Sequence, residues 1–145
     1  MSIEFKKAIE KKKIIKFLKG KKLIKRELKV AKDDLSEAKD RFKNKRYKYA
    51  TITAYYSMFH FARALLFAKG YREKSHYWLI VALQALYVEK GLIGESLVSD
   101  FHDAMILRED ADYHGKFSKE GAEVTIESAK IFLKKAKSIL SRNKN

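Results

Sequence analysis

Cysteine and proline are both absent from the 145-residue chain, and glycine occurs only six times. The lack of cysteine excludes a disulfide framework, a thiolate zinc site and any thiol nucleophile. The lack of proline and the shortage of glycine disfavour folds built on many tight turns. Side-chain amides are almost missing too, confined to Asn44, Gln84, Asn143 and Asn145, a composition that resembles thermophile proteins. No run approaches the ~20 apolar residues of a membrane span. The strongest stretch, Trp78 to Val88, is short and interrupted by Gln84. The N-terminus carries lysines but no apolar core followed by a small-residue cleavage site, so no signal peptide is expected and the expected location is cytoplasmic.

Apolar residues make up 46% of the chain and aromatics 12%, enough to bury a real core in a single domain. The net charge is +15 and unevenly spread. Residues 1–50 hold 19 basic and 7 acidic side chains, an excess of 12, whereas residues 51–145 hold 14 and 11, an excess of 3. Such an asymmetry fits an electrostatic footprint for a polyanion, or equally a solvated lysine-rich surface.

Apolar spacing of three and four residues predicts helices throughout, and no strand pattern competes. The steps Lys19-Gly20, Lys69-Gly70 and Lys90-Gly91 each follow an apolar stretch, with a cation in the last turn and glycine past the end, as helix C-termini prefer. Read this way, helices cover about Ile3 to Leu18, Leu23 to Lys43, Tyr47 to Ala68, Ser75 to Glu89, Glu95 to Tyr113 and Ser118 to Leu140. Ser75 and Ser118 are the expected N-caps. The fold class is therefore all-α, an up-and-down helical bundle with an extra basic N-terminal helix. The expected organisation is a basic helical extension over residues 1–23, the bundle over 24–140 and a short tail over 141–145.

The third helix is apolar on nearly every side, which marks it as buried or packed against a second chain. Its few polar groups, Thr53, Ser57, His60 and Arg63, form a stripe. Such a stripe either satisfies itself with neighbours or lines a cleft. Polar chemistry is also concentrated in Arg108-Glu109-Asp110-Ala111-Asp112-Tyr113-His114-Gly115. A histidine shuttles protons near neutral pH and an arginine stabilises phosphate charge, so together they can cleave RNA without a metal. The plainer reading is an Arg108–Asp112 pair at i, i+4, with His114 as a cation on the helix dipole. Six residues of straight helix turn by about 600° and rise about 9 Å, so Arg108 and His114 do not share a face. They cooperate only if the helix unwinds at Tyr113-His114-Gly115 or if two copies meet about a two-fold axis. The histidines at 60, 76, 102 and 114 lack metal-ligand spacing, there is no glycine-rich phosphate loop, and neither metal nor cofactor is expected.

The segments Ala54-Tyr-Tyr-Ser-Met-Phe-His-Phe-Ala-Arg-Ala-Leu-Leu66, Lys69-Gly70-Tyr71, Lys74-Ser75-His76 and Arg108 followed by Ala111-Asp112-Tyr113 together resemble the HEPN domain (higher eukaryotes and prokaryotes nucleotide-binding), in its Ala-Asp-Tyr branch. The resemblance runs from about Ile24 to Leu140. It implies an all-α homodimer and a metal-independent endoribonuclease whose hallmark is Arg, four to six residues, then His. Arg108 and His114 fall in that window and would be the catalytic pair, Arg108 on the phosphate and His114 moving the proton. Glu109 stands where active nucleases of the family usually carry Asn, Asp or His. His60, Arg63, Tyr113, Glu109 and Ser57 are the residues expected around an RNA or nucleotide cleft. Many such proteins are the toxin half of a pair with a minimal nucleotidyltransferase, and Tyr113 is then the expected adenylylation position. Members of this branch that lack the histidine imply the alternative, a non-catalytic module that binds a nucleotide or the nucleotidyltransferase partner. The segment from Met1 to Leu23 lies outside the resemblance, and its nine lysines suit an RNA backbone or simple solubility.

Overall fold

A computed structural model describes residues 2–142. Its central element is α3, Tyr47–Ala68, which buries Ala50, Ala54, Tyr55, Met58, Phe61, Ala62, Leu65 and Leu66 completely. A helix apolar all round must be covered on all sides. Here α2 (Ile24–Lys43), α4 (His76–Leu83), α5 (Glu95–Tyr113) and α6 (Lys119–Arg142) all pack on it, α2 most extensively. Each fully buried Phe or Leu of α3 stabilises the fold by about 1.5–3 kcal/mol relative to exposure. The hydrogen-bonded pairs Thr53–Arg41, Ser57–Ala31 and His60–Glu27 run in opposite directions along the two helices, so α2 and α3 are antiparallel. The molecule is an all-α bundle with the predicted helix order.

The N-terminal segment departs from its expected single helix. The basic helix α1 stops at Glu10 after Ser2 Oγ accepts from Phe5 N–H at 3.1 Å. The chain then reverses through Lys12 in the left-handed region at φ 58°. Ile14–Lys16 forms β1, antiparallel to β2 (Tyr71–Glu73), with Ile14 opposite Glu73 and Lys16 opposite Tyr71. A 3-10 segment, Leu18–Leu23, leads into α2. The spacing of Ile14, Phe17 and Leu18 suits a helix, but Ile14 is fully buried in the position the strand gives it, and strand pairing with β2 overrides local pattern. Phe5, Ala8 and Ile14 belong to the same core as α3.

Two of the Lys-Gly steps close helical segments as expected, with Gly70 at φ 83° and Gly91 at φ 72°. The Lys19-Gly20 step does not. Gly20 lies inside the 3-10 segment, where an added Cβ would sit 2.8 Å from Phe67 Cγ. After α4 the chain continues as a π-helical turn over Gln84–Val88, so the fourth helix covers the predicted span in two winding modes. Ser118 caps the start of α6 by accepting from Gly121 N–H at 2.9 Å.

Candidate functional site

Arg108, on α5, is turned inward toward α3 and is only 6% exposed. Its Cζ lies 5.3 Å from the ring centre of Tyr55, 5.8 Å from Tyr56 and 5.4 Å from Tyr113. A guanidinium amid three phenol rings is held by cation–π attraction without being neutralised. One terminal nitrogen donates to Tyr113 Oη at 3.1 Å and lies 3.6 Å from the Asp112 carboxylate. The i, i+4 pair expected with Asp112 therefore exists, but on a buried arginine rather than an exposed helix end. Nε of Arg108 is buried and has no hydrogen-bond partner among the described residues. An unmet buried donor costs about 1–3 kcal/mol. Its cover, Tyr113, is itself 68% exposed.

His114 caps α5, its backbone N–H donating to Asp110 C=O at 3.1 Å. Its side chain is exposed and, among the described residues, makes no hydrogen bond or ion pair. α5 stays helical through Tyr113, and the chain leaves the helix at His114, φ −116°, and Gly115, φ 62°. Glu109 is half-buried next to them.

The polar stripe of α3 is largely consumed by its neighbours. Thr53 Oγ1 accepts from Arg41 at 2.8 Å and donates to Tyr49 C=O at 2.7 Å. Ser57 is completely buried and donates to Ala31 C=O at 2.7 Å; it is sealed under α2 and does not line a cleft, a correction to its expected role. Small hydroxyls serve here to let α2 approach closely while remaining hydrogen-bonded. His60 Nδ1 meets Glu27 Oε2 at 2.5 Å, with Asp34 at 3.9 Å from Nε2. Burial raises the Asp34 carboxyl above its ordinary value, against the pull of His60. Arg63 reaches Glu73 at 2.7 Å and Glu27 at 3.9 Å. Glu27 and Glu73 are nearly inaccessible, at 3% and 5% exposure, so these ion pairs tie α2, α3 and β2 together.

One residue of the same neighbourhood was not among the expected site residues. His76, the first residue of α4, stacks on Tyr55 at 5.6 Å between ring centres and lies 4.3 Å from Phe59. Its Nδ1 is 2.6 Å from Tyr55 Oη. Burial, then the nearby charges of Arg108, Arg63 and His60, push its pKa down to about 4. The imidazole is therefore neutral at pH 7. Burial also holds the Tyr55 phenol well above its ordinary value, so Tyr55 keeps its proton and donates it. His76 and Arg108 thus share one tyrosine. The available signal was a histidine at a helix start within Lys74-Ser75-His76, which carries no chemistry until Tyr55 is placed beside it.

A groove of about 560 Å³ lies elsewhere, with Lys21, Lys25, Lys32 and Lys137 over a floor that includes Ile24 and Leu28. It holds no general acid or base, but its lysines suit a polyanion backbone. Among the described residues no three histidine or acidic side chains converge as metal ligands.

A profile of the HEPN domain matches residues 24–144. A protein of Methanocaldococcus jannaschii named as a candidate toxin is 36% identical over 114 residues, covering 78% of this chain and 85% of that one. A UPF0332 protein of Archaeoglobus fulgidus is 34% identical over 122 residues, covering 81% of this chain and 97% of that one. The crystal structure of TT1696 from Thermus thermophilus has a TM-score of 0.68 over 80% of this chain and 97% of that chain; at 17% identity the likeness is one of fold.

Proposed function

The chain belongs to the HEPN domain family, and from that membership we propose that it is a toxin-type, metal-independent endoribonuclease acting as a homodimer. The observation that carries this reading is Arg108, a buried guanidinium with an unpaired Nε beside an exposed tyrosine. A phosphodiester supplies the oxygens that such a donor lacks. In the reaction, the 2′-oxygen bonds to phosphorus as its proton is removed, and the bond to the 5′-oxygen breaks as that oxygen is protonated. Arg108 stabilises the phosphate charge and His114 carries a proton. A relative's description as a candidate toxin supports the toxin role.

α5 ends at Tyr113, and among the described residues Arg108 and His114 of one protomer form no hydrogen bond with each other. A second copy related by a two-fold axis brings the His114 of one chain toward the Arg108 of the other. Ile106 and Tyr113, seven residues apart and so on one face of α5, are 43% and 68% exposed, and Phe117 just beyond is 53% exposed. These side chains supply an apolar surface for that pairing. Tyr113 Oη, open to solvent and in contact with Arg108, is also the position at which adenylylation by a minimal nucleotidyltransferase partner would place a phosphate against Arg108 and silence the site.

The unpartnered, outward His114 favours a second reading, a non-catalytic module that binds a nucleotide or its partner protein. RNA cleavage in EDTA by wild type, Arg108→Ala and His114→Ala decides between them. The ribonuclease reading expects cleavage by wild type only, and none at a 2′-deoxy position. No cleavage by wild type favours the binding module, and equal cleavage by all three removes both residues from the chemistry.

A further inference from the structure

His76 has a defined environment but no part in the cleavage chemistry of Arg108 and His114. Its ring is fixed on one side by Phe59 and on another by Tyr55, and its Nδ1 is engaged by the Tyr55 hydroxyl. Tyr55 Oη has no other partner among the described residues and retains its proton, so Nδ1 accepts and the ring proton resides on Nε2. The residue is half-buried, and Nε2 has no protein partner among the described residues yet is not sealed from solvent. An imidazole held in one tautomer with a free N–H facing outward is a ready donor.

The surroundings select an anion for that donor. Arg108 lies over the same Tyr55 ring, and Arg63 lies 4.5 Å over Phe59. Arg63 is matched by Glu73 at 2.7 Å, whereas Arg108 retains an unpaired Nε and has, among the described residues, one ion pair, to the 41% exposed side chain of Asp112 at 3.6 Å. The unmet guanidinium donor is thus on the Arg108 side of Tyr55, the ring that His76 also stacks on. Tyr113 and the half-buried Tyr56 add ring faces on which a base can stack.

We propose that His76 is a phosphate-binding residue of the Arg108 site, contributed by the same protomer, which donates its Nε2–H to a non-bridging oxygen of a nucleotide or RNA phosphate while Tyr55 holds Nδ1. The inference rests on the reading that phosphate esters enter the Arg108 site, but it does not require that they be cleaved. Tyr55 acts through His76 and is a positioning residue.

The test is a ¹⁵N NMR titration of the full chain that follows the His76 Nε2 signal on adding inorganic phosphate, AMP or an uncleavable 2′-O-methyl oligoribonucleotide. A response to all three probes assigns the site to phosphate alone. A response to AMP and the oligonucleotide only assigns it to a nucleotide, and a response to the oligonucleotide only assigns it to RNA. Each of these supports the proposal. His76→Ala weakens binding about tenfold or more, His76→Gln recovers part of that affinity through its amide N–H, and Tyr55→Phe weakens binding several-fold at unchanged ring volume. His102→Ala, an exposed position on α5, binds as wild type. Should His76→Ala misfold on thermal unfolding, the Gln and Phe variants carry the test. A stationary His76 signal, with or without binding elsewhere, overturns the proposal, as does wild-type affinity in both His76→Gln and Tyr55→Phe. Binding through His76 without RNA cleavage upholds it and removes the ribonuclease. Cleavage with affinity independent of His76 removes it and leaves the ribonuclease standing.

Discussion

Arg108 is a cation in a position that an apolar side chain of similar length could fill. Its Nε is unmet and its charge is largely desolvated. Replacing such a group by an apolar side chain of similar length is commonly neutral or stabilising. Arg108→Met is therefore expected to leave the thermal midpoint unchanged or raise it by a few degrees, while RNA affinity falls about tenfold or more. Calorimetry beside a binding assay checks both. His76 has the opposite signature. Its folded pKa of about 4 lies below the value of 6.5 for an unperturbed histidine, so between these values the unfolded chain binds more protons. Its contribution makes stability fall as pH drops from about 6.5 toward 4. Urea unfolding across that window is expected to show the decline in wild type and a shallower one in His76→Gln. The Arg108–Tyr113 contact joins two residues of one short motif, so the sequence could suggest it. The His76–Tyr55 contact it could not, because the tyrosine is 21 residues away on another helix.

At the scale of elements, helix boundaries were readable to within a residue or two wherever an apolar stripe ended in a cap. α3 spans Tyr47–Ala68 and α5 ends at Tyr113, as the pattern predicts. The failures share one cause: a local signal that was ambiguous until a distant partner was present. Ile14 fits a helix face and a strand equally, and β2 decides. Gly20 reads as a helix terminator but is required by the closeness of Phe67. Gly20→Ala is accordingly expected to cost about 1–3 kcal/mol through overpacking, measured by urea unfolding. An ordinary C-terminal glycine such as Gly91, with open space around its Cα, is expected to lose only the smaller cost of a left-handed alanine, about 1 kcal/mol.

For the whole molecule, charge and core divide the N-terminal segment differently. Its nine lysines against two glutamates supply an excess of 7 of the net +15, yet Phe5, Ala8 and Ile14 are core residues, so deleting residues 1–22 is expected to unfold the bundle. The electrostatic contribution is better tested by Lys21→Gln, Lys25→Gln and Lys32→Gln together. Each lysine that neutralises a phosphate contributes about 0.7 to the salt slope of single-stranded RNA affinity, so the triple variant is expected to flatten the slope of log K against log salt by about 2. An unchanged slope places the phosphate-binding lysines elsewhere.

Helical class, helix order, the central burial of α3 and the basic bias of the first third follow from composition and periodicity. These depend on summed local preferences and on how much apolar surface each face must hide. Which polar groups face one another does not follow from periodicity. Ser57 and His60 look alike as members of one stripe, yet one is sealed beneath α2 and the other is paired to a buried glutamate. Arg108 and His114, six residues apart in one motif, form no hydrogen bond with each other among the described residues, while Arg108 and His76 converge on a shared tyrosine. Helix packing sets those distances, and side-chain chemistry over a few ångströms depends on distance far more steeply than on position along the chain.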